Sequence, residues 1–288
     1  MKIAAVVILY NPPPGVINNI KTYCNTVGKL YIMDNTEEGA AIKKELKALP
    51  GTEYFHDGKN EGLSKRLNEA CRFAINEGYN WLLTMDQDSC FEDNSLSMYF
   101  DCVKNFKERE YVGLFGISNQ RASNSSSGAC SFKDDTGIIT SGTLMNLAAF
   151  KLTGGFDEAL YIDAVDHDYS IRAKRAGYRV IRLLNIFLSH ELGTEVYRAS
   201  VKTLFLVKKK KEVHSPLRVY YMYRNMLYLT QKFEKEEPEL VNQLKKDVSS
   251  RIKKAIFYGR NTGKIIRYLI KAKNDFKNGK MGKIDATL

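Results

Sequence analysis

The sequence lacks a long, uninterrupted hydrophobic run. Its 288 residues contain no apolar stretch near the roughly 20 residues that a helix needs to cross a bilayer. Residues 1–10 are mostly apolar, but they have no small-residue cleavage site and lead directly into Asn11 and three prolines. We therefore expect a buried first strand rather than a signal peptide, in a protein that is soluble or attached to a membrane surface.

Cysteine is scarce, and its spacing has no pattern. The five cysteines are scattered and odd in number, and no two of them form a Cys-x-x-Cys pair. A zinc site built from cysteines is therefore not expected. The pattern predicts reduced thiols in a cytoplasmic protein.

Acidic residues are scarce in the last third of the chain. Residues 200–288 carry 22 Lys/Arg and 8 Asp/Glu, a net charge of +14, whereas residues 1–199 carry 22 and 25, a net charge of −3. We expect a slightly acidic globular domain over residues 1–200 and a helical, basic segment over residues 201–288.

Short apolar runs alternate with helical patterns in the first part of the chain, which is typical of an α/β protein with a largely parallel sheet. The predicted strands are 2–10, 29–34, 52–56 and 81–85, and the helices between them are 15–26, 37–48 and 61–77. After residue 110 the pattern is mixed, with a helix near 166–176 and a loop at 122–131. Beyond residue 203 the chain is predicted to be helical.

Polar residues follow several of the predicted strands. Asp86 and Asp88 lie beyond the fourth strand, where open α/β sheets bind ligands, and paired carboxylates suit Mg²⁺ or Mn²⁺ shared with a substrate phosphate. A solvated turn is the simpler interpretation of such a pair taken alone. Asp34 closes the second strand, where a carboxylate can accept the imide proton of a uracil or thymine, or start a turn. A lone histidine is usually structural, yet His190 follows a strand and is a candidate metal ligand beside Asp88.

Three aspartates cluster around the start of the helix predicted near residue 166: Asp163, Asp166 and Asp168. Asp168 lies four residues before Arg172, the spacing of an intrahelical ion pair. Asp166 has the position of a helix cap, but a carboxylate placed there can also act as a general base. We favour the catalytic role for Asp166 and the ion pair for Asp168.

Nine short segments resemble, in the same order, those of family 2 glycosyltransferases, and more closely the bacterial rhamnosyltransferase branch of that family. They are Val7–Pro12, Met33–Asn35, Asn60–Ser64, Met85–Ser89, Ser141–Leu144, Gly154–Glu158, Tyr161–Arg172, His190–Gly193 and His214–Asn225. Each segment is weak alone, but nine in the right order make a strong match. The last part of the chain carries no motif of the family.

The resemblance implies a GT-A-type, Rossmann-like fold: a mostly parallel central sheet flanked by helices, here with a C-terminal helical, basic extension. It also implies that a nucleotide-sugar binds at the carboxyl ends of the strands. The residues expected to contact it are Tyr10 and Asp34 beside the base, Asn60 and Gly62 in the nucleotide pocket, and Asp86 near the ribose.

The reaction implied by the resemblance is metal-dependent and inverting. Asp88 and His190 are expected to hold Mg²⁺ or Mn²⁺ on the diphosphate, and Asp166 to deprotonate the acceptor hydroxyl. Many relatives have an acidic pair where this chain has Val165-Asp166, so Asp163 is a second candidate for the base and for a substrate contact. The expected donor is dTDP-rhamnose, and the expected acceptor is a glycan or a lipid-linked saccharide in cell-surface polysaccharide synthesis.

Other functions remain open for the basic segment and for the fold. The charge and a pI near 9.2 meet the electrostatic criterion for nucleic-acid binding, a partner that we do not favour. Lysines alternate with apolar residues at helical spacing, which fits a helix on an anionic membrane surface or a lid on the catalytic domain. A nucleotidyltransferase is a further alternative, but the turn at residues 11–15 lacks the basic residue of a phosphate loop.

Overall fold

A computed structural model describes residues 1–92, 94–118, 130–190, 195–199, 208–259 and 261–285, and the side chains at 190, 195–199 and 208–212 lie outside the description. The chain divides into two compact units. The first comprises Met1–Asp157 and Val165–Glu191, and the second comprises Glu158–Ala164 and Leu192–Leu288. The short segment 158–164 therefore groups with the C-terminal part of the chain, which the sequence pattern did not indicate.

The first unit is built on a mixed sheet. Its strands are β1 (Ile3–Leu9), β2 (Lys29–Asp34), β3 (Thr52–His56), β4 (Trp81–Asp86), β5 (Ser89–Phe91), β6 (Val112–Ser118), β7 (Phe132–Asp134), β8 (Thr143–Asn146) and β9 (Arg179–His190). The first four match the predicted strands to within one residue at either end. β5 has only 3 residues, too few to show a hydrophobic pattern in the sequence.

The strand order is β3-β2-β1-β4-β8-β6-β9-β5, with β7 paired to β9. β1, β2, β3 and β4 are mutually parallel, as predicted. β8 runs antiparallel to both of its neighbours, and β5 and β7 run antiparallel to β9. β6 and β9 are also parallel. The prediction of a mostly parallel sheet is confirmed, and the alternating helices of the first half explain its parallel crossovers.

Helices cover the sheet of the first unit. They are α1 (Val16–Lys21), α2 (Lys43–Lys47), α3 (Gly62–Asn76), α4 (Ser95–Lys104), α5 (Leu147–Thr153) and α6 (Val165–Arg175). The run IAAVVIL of β1 is buried along almost its whole length, as expected for a strand covered on both faces. α3 buries Leu67, Ala70, Cys71 and Ala74 on one side, the face that its helical spacing predicts.

The second unit contains a strand pair and three helices. They are β10 (Glu195–Ala199), β11 (Lys208–Glu212), α7 (Pro216–Phe233), α8 (Pro238–Tyr258) and α9 (Thr262–Lys277). β10 and β11 pair in antiparallel fashion. The prediction of helix beyond residue 203 was therefore wrong for residues 208–212, because a run of lysines has no apolar period that could distinguish a strand from a helix. None of the described helices is long and apolar enough to cross a membrane.

The prediction of reduced cysteines was wrong for one pair. Cys102 on α4 and Cys130 form a disulfide, with Cα atoms 5.6 Å apart and a sequence separation of 28 residues. Cys24, Cys71 and Cys90 are free. An odd number of scattered cysteines cannot reveal which two approach each other in the fold. Because disulfides are rare in reducing compartments, the expected cytoplasmic location no longer follows from the cysteines.

Candidate active site

The carboxyl ends of three parallel strands place the candidate acids at one edge of the sheet. Leu9 of β1 pairs with Asp34 of β2, and Ile8 of β1 pairs with Asp86 of β4. One strand therefore separates the two aspartates, in a central region of the sheet. This is the position at which open α/β sheets bind ligands.

Gln87 ties the turn after β4 to the end of β1. Its side-chain oxygen accepts a hydrogen bond from the Tyr10 backbone N–H at 2.9 Å, and its side-chain nitrogen donates to the Tyr10 carbonyl at 3.3 Å. The amide of Asn19 donates to the Gln87 carbonyl at 3.0 Å. These bonds hold the residue between Asp86 and Asp88 in place. The Tyr10 side chain is exposed, where a planar ring can stack on a base.

Two serine hydroxyls support the turn that carries the two aspartates. The backbone N–H of Asp86 donates to Ser141 Oγ at 3.1 Å, and Ser141 Oγ donates to Ser89 Oγ at 2.9 Å. Asp88 lies in the two-residue turn between β4 and β5, and its Oδ1 atom is buried. The chain reverses at Gln87 and Asp88, which places Asp88 at the carboxyl edge of the sheet.

The fit to a divalent cation rests on the chemistry of the donors. Among the described residues, no group of three or more His, Cys, Asp or Glu side chains converges as a metal site. Mg²⁺ and Mn²⁺ do not need such a cage, because they commonly bind one or two carboxylates together with substrate phosphates and water. The backbone of His190 pairs with Ser89, the residue after Asp88, while the His190 side chain lies outside the described part. The residues present therefore fit a cation shared with a diphosphate.

Asp34 is engaged in the turn that follows β2. Its carboxylate is fully buried and accepts hydrogen bonds from the Thr36 N–H at 2.9 Å, the Ala40 N–H at 2.6 Å and the Tyr54 hydroxyl. Burial, and then the bond to Asp34, raise the pKa of Tyr54 well above its usual value, so it remains a donor. The contacts give Asp34 the turn-forming role, and its contact with a base stays a prediction.

The start of α3 is fixed to the end of β2 by Asn35. The Asn35 side chain donates to the Gly62 carbonyl at 3.1 Å and accepts from the Glu61 N–H at 3.1 Å. The Asn60 side chain accepts from the Gly62 N–H at 3.2 Å. Gly62 has a φ of +82°, a conformation that favours glycine. Asn60 and Gly62 thus form the tight entry to α3 on the same edge as the aspartates.

Arg66 anchors this corner and was not predicted from the sequence. Its buried guanidinium donates to Asn35 Oδ1 at 2.8 Å, to Asp57 at 2.5 Å and to Glu69 at 2.9 Å. The hydrogen bond from Arg66 is the main reason that the pKa of Asp57 lies below its usual range. A lone arginine in an amphipathic helix gives no sequence signal of such a role.

Asp166 lies in the first turn of α6 and contacts the neighbouring histidine. Its Oδ1 accepts a hydrogen bond from the His167 N–H at 2.9 Å and lies 3.0 Å from His167 Nδ1. Burial alone would raise the pKa of Asp166, but the charge and hydrogen bonds of His167 outweigh it and hold that pKa below the usual range. Asp166 is therefore ionised at neutral pH. This contact with His167 was not predicted from the sequence.

A narrow cavity lies between Asp166 and β4, and neither Asp86 nor Asp88 lines it. Thr84, two residues before Asp86, lines it together with Asp166, Thr140 and Thr143. The Thr84 hydroxyl donates to the Thr140 carbonyl at 2.5 Å, which holds the segment before β8 against β4. Gly142, in this segment, has a φ of +73°, and a Cβ there would lie 2.5 Å from the Ile117 side chain. The fold thus brings Asp166 to the strand that carries the aspartate pair.

A family model for glycosyl transferase family 2 matches residues 5–121, the segment that holds β1 to β6 and the residues from Tyr10 to Asp88 discussed above. Over these residues the chain is similar to family 2 glycosyltransferases. The dTDP-rhamnosyl transferase RfbF of Shigella flexneri is 26% identical over 247 residues, covering 80% of this chain and 80% of RfbF. These two matches confirm the resemblance to family 2 glycosyltransferases and to their rhamnosyltransferase branch.

Solved structures share the fold of this glycosyltransferase. S. aureus TarS 1–349 in complex with UDP-GlcNAc has a TM-score of 0.54 and 14% identity, over 96% of this chain and 80% of that chain. GalNAc-T7 with UDP, GalNAc and Mn²⁺ has a TM-score of 0.54 and 10% identity, over 66% of this chain. The chain spans 44% of the GalNAc-T7 chain. At these identities the likeness shows the fold alone, and it confirms the GT-A-type α/β architecture.

The other two aspartates near α6 of the glycosyltransferase are held in ion pairs. Asp168 is fully buried and bonds to Arg172 Nε at 2.8 Å, which confirms the predicted pair. Within the second unit, Asp163 receives Arg218 through Nε at 3.0 Å and Nη2 at 2.8 Å. Arg218 thus engages both carboxylate oxygens of Asp163, and the choice of Asp166 as the base stays a prediction.

A larger cavity of about 490 Å³ lies away from these residues. It is lined by Trp81 at the start of β4, by Asn146 at the end of the antiparallel β8, and by Arg109 just before β6. It is therefore at the opposite edge of the sheet from Asp34 and the aspartate pair. Its position does not match the ligand site expected for an open α/β sheet.

Proposed function

We propose that the protein is an inverting rhamnosyltransferase, which transfers L-rhamnose from dTDP-rhamnose to a hydroxyl of a glycan or a lipid-linked saccharide for cell-surface polysaccharide synthesis. One observation carries the proposal. The carboxyl ends of β1, β2 and β4 bring Asp34 and the Asp86–Asp88 turn to one edge of the sheet, and the cavity at Asp166 reaches the same strand β4. The name of the RfbF relative supports the choice of donor.

The donor is bound by its nucleotide and diphosphate in this proposal. Asp86 accepts hydrogen bonds from the ribose, the Tyr10 ring covers the base, and the entry to α3 at Asn60 and Gly62 borders the nucleotide. Asp88, together with His190, would hold Mg²⁺ or Mn²⁺, which supplies positive charge to the leaving diphosphate. Gln87 positions this turn through its two bonds to the Tyr10 backbone.

Asp166 is the general base in this proposal. Its ionised carboxylate accepts the proton of the acceptor hydroxyl while that oxygen forms a bond to the anomeric carbon. The bond from the anomeric carbon to the phosphate oxygen breaks, and the electron pair leaves with the nucleotide diphosphate. A single displacement from the opposite face inverts the anomeric configuration. His167 holds Asp166 Oδ1 in a fixed orientation.

Thermal shift with a panel of nucleotide-sugars, each with and without Mn²⁺, tests the proposal. A ligand that binds the folded state raises the melting temperature by mass action, and dTDP-rhamnose with Mn²⁺ is expected to give the largest shift. Asp88→Ala should lose the Mn²⁺-dependent part of that shift. Asp101→Ala, which removes an exposed aspartate on α4, is the matched control and should behave as wild type.

The acceptor and the donor are tested separately. Release of dTDP from dTDP-rhamnose, measured with lipid-linked saccharides as acceptors, reports on transfer. A larger shift with UDP-GlcNAc or UDP-GalNAc than with dTDP-rhamnose would replace the donor but keep the reaction class. Absence of a shift with every nucleotide-sugar would contradict the whole proposal.

A further inference from the structure

We propose that the outer faces of α9 and of the last turns of α8 form an interaction surface for an anionic lipid bilayer. The residues of this surface are Phe257, Ile266 and Ile270 together with the lysines Lys253, Lys254, Lys273 and Lys277. We call it the basic-apolar surface. It lies entirely in the second unit and uses none of the residues assigned to donor binding or catalysis.

α9 has one side that is fixed by packing. Ile265, Tyr268, Ala272 and Asp275 recur at helical spacing and are buried. The Tyr268 ring packs edge-on against Tyr220 of α7 at 6.2 Å, and the Tyr220 hydroxyl donates to Asp275 at 2.7 Å. This inner side sets the rotation of the helix, so the opposite side cannot turn inward.

The opposite side of α9 carries apolar residues that the fold leaves exposed. Ile266 is 46% exposed and Ile270 is 58% exposed, and they lie one turn apart, with Lys273 and Lys277 continuing the same face. Packing within the unit leaves about half of each of these side chains uncovered. Both residues instead offer branched apolar side chains to a partner.

The last turns of α8 repeat this arrangement. Val248 and Ala255 are buried, whereas Phe257 is 75% exposed, the most exposed of the large hydrophobic residues described. Lys253 and Lys254 are exposed on the same part of the helix. Phe257 lies two residues before the connection to α9, and Ile266 lies in the second turn after it. The apolar residues therefore flank one connection.

The charge of this part of the chain selects the partner. Residues 248–277 contain nine Lys or Arg and a single acidic residue, Asp275. Asp275 is on the inner side, where it bonds to Tyr220 and to Lys271. The outer faces thus combine exposed apolar side chains with lysines and no carboxylate. Helices of this composition lie in the plane of an anionic membrane surface, with the apolar side chains below the headgroups.

A bilayer accounts for both the apolar residues and the lysines of the basic-apolar surface, whereas nucleic acid accounts for the lysines alone. Phosphate backbones attract lysines, but they offer no apolar phase for Phe257, Ile266 and Ile270. A bilayer receives the three apolar side chains and pairs the lysines with lipid phosphates. The inference agrees with a lipid-linked acceptor in the proposed function, but it does not depend on that function, since membrane binding is measured without substrate.

Vesicle sedimentation of the full chain tests the inference. The probe is vesicles of equal parts phosphatidylglycerol and phosphatidylcholine, compared with phosphatidylcholine alone. Wild type is expected to sediment with the anionic vesicles and to stay in solution with the neutral ones. The triple variant Phe257→Ser, Ile266→Ser, Ile270→Ser is expected to lower the partition coefficient by about tenfold or more.

A second variant tests the charge. Lys273→Gln with Lys277→Gln is expected to lower the partition coefficient by roughly fivefold per lysine at low salt. The matched controls lie in the first unit: Leu152→Ser removes a leucine that is 67% exposed, and Lys43→Gln with Lys44→Gln removes two exposed lysines. Both controls should sediment as wild type does. Circular dichroism confirms that each variant is folded.

Three results would overturn the inference. The first is wild type that stays in solution with anionic vesicles. The second is a triple variant that binds as wild type does while the lysine variant loses binding, since that surface would be purely electrostatic, and duplex DNA would then be tried as the ligand. The third is wild type that does not bind vesicles but dimerises as its concentration rises, with this dimerisation lost in the triple variant.

Discussion

Asp34→Asn separates the turn-forming role of this residue from a role in base binding. The substitution keeps the shape of the side chain and removes one acceptor and the charge. In the folded protein the two carboxylate oxygens face the Thr36 N–H on one side, and the Ala40 N–H and the Tyr54 hydroxyl on the other. In asparagine the amide oxygen can accept the hydrogen bonds on one side only. The amide NH₂ on the other side then faces a hydrogen-bond donor instead of an acceptor.

The expected loss of stability follows from these contacts. A hydrogen bond to a charged group contributes about 1.5–3 kcal/mol, and a buried donor left without an acceptor costs a further ~1–3 kcal/mol. Because the Tyr54 hydroxyl can rotate and accept from the new NH₂, we expect a net loss of about 2–4 kcal/mol. For a unit of this size the loss lowers the melting temperature by about 5–10 °C.

Thermal and urea unfolding of the purified chain measure this loss, and Tyr54→Phe completes the double-mutant cycle. Tyr54→Phe alone should cost about 1 kcal/mol, and less in the Asp34→Asn background, where its partner has changed. Asp101→Asn on α4 is the exposed control. If Asp34→Asn melts within a degree of wild type but loses nucleotide binding, the turn-forming explanation is refuted and the base contact gains support.

Four further predictions test other parts of the molecule. Asp166→Asn should lower kcat about 10²–10⁴-fold, with donor affinity in calorimetry unchanged, because the base contacts the acceptor. Folding lowers the pKa of Asp166, so the ionised carboxylate stabilises the folded state. This stabilisation is fully present above the ordinary aspartate pKa of ~3.9. It is lost as the pH falls through the lower pKa of the folded state. The urea stability gap between wild type and Asp166→Asn should therefore narrow in acid. Arg66→Met should cost about 2–3 kcal/mol in urea, because the buried Asn35 oxygen loses one of its two donors and the carboxylates of Asp57 and Glu69 lose their ion-pair partner. Cys102→Ser with Cys130→Ser should cost about 3.6 kcal/mol by the same measurement, the loop-entropy value for a separation of 28 residues.

Each of these predictions has an outcome that contradicts it. Wild-type turnover by Asp166→Asn would move the base to another residue, with Asp163 the first to test. A stability gap that widens in acid would reverse the assigned shift in pKa. Unchanged urea midpoints for the Arg66 variant would mean that its partners find other donors. If the wild type and the double serine variant were equally stable, the disulfide between Cys102 and Cys130 would not form in the folded protein in solution.

The sequence was sufficient for the parts of the fold that depend on local pattern. β2 and β3 were predicted to the residue, since apolar runs bounded by turn residues define a buried strand. The placement of Asp86 at the carboxyl edge followed from the strand that precedes it. The antiparallel insertion of β8 was not predicted, because pairing direction depends on contacts far apart in the sequence and not on the hydrophobic pattern.

The hydrogen bonds that support the site could not be predicted from the sequence, for a similar reason. Gln87 bonds to a residue 77 positions away, and Ser141 bonds to one 55 positions away. Such partners are fixed by topology, and their side chains show no unusual local pattern. Arg66 has the pattern of an ordinary helix residue, and only the folded structure shows its contact with Asp57. His190 stays a prediction, because its side chain lies outside the described residues.

The residues Asp163 and Ala164 have consequences for where the chain can be shortened. Both have left-handed φ angles, +65° and +64°, which cost free energy in residues other than glycine. Arg218 holds the Asp163 carboxylate, and Asn225 donates to the carbonyls of Ile162 and Asp163 at 2.7 and 2.9 Å. A protein cut near residue 200 would keep the strained dipeptide and lose both side chains that restrain it. Within the second unit, the conformation of segment 158–164 thus depends on residues more than fifty positions downstream, so the C-terminal part is no dispensable tail.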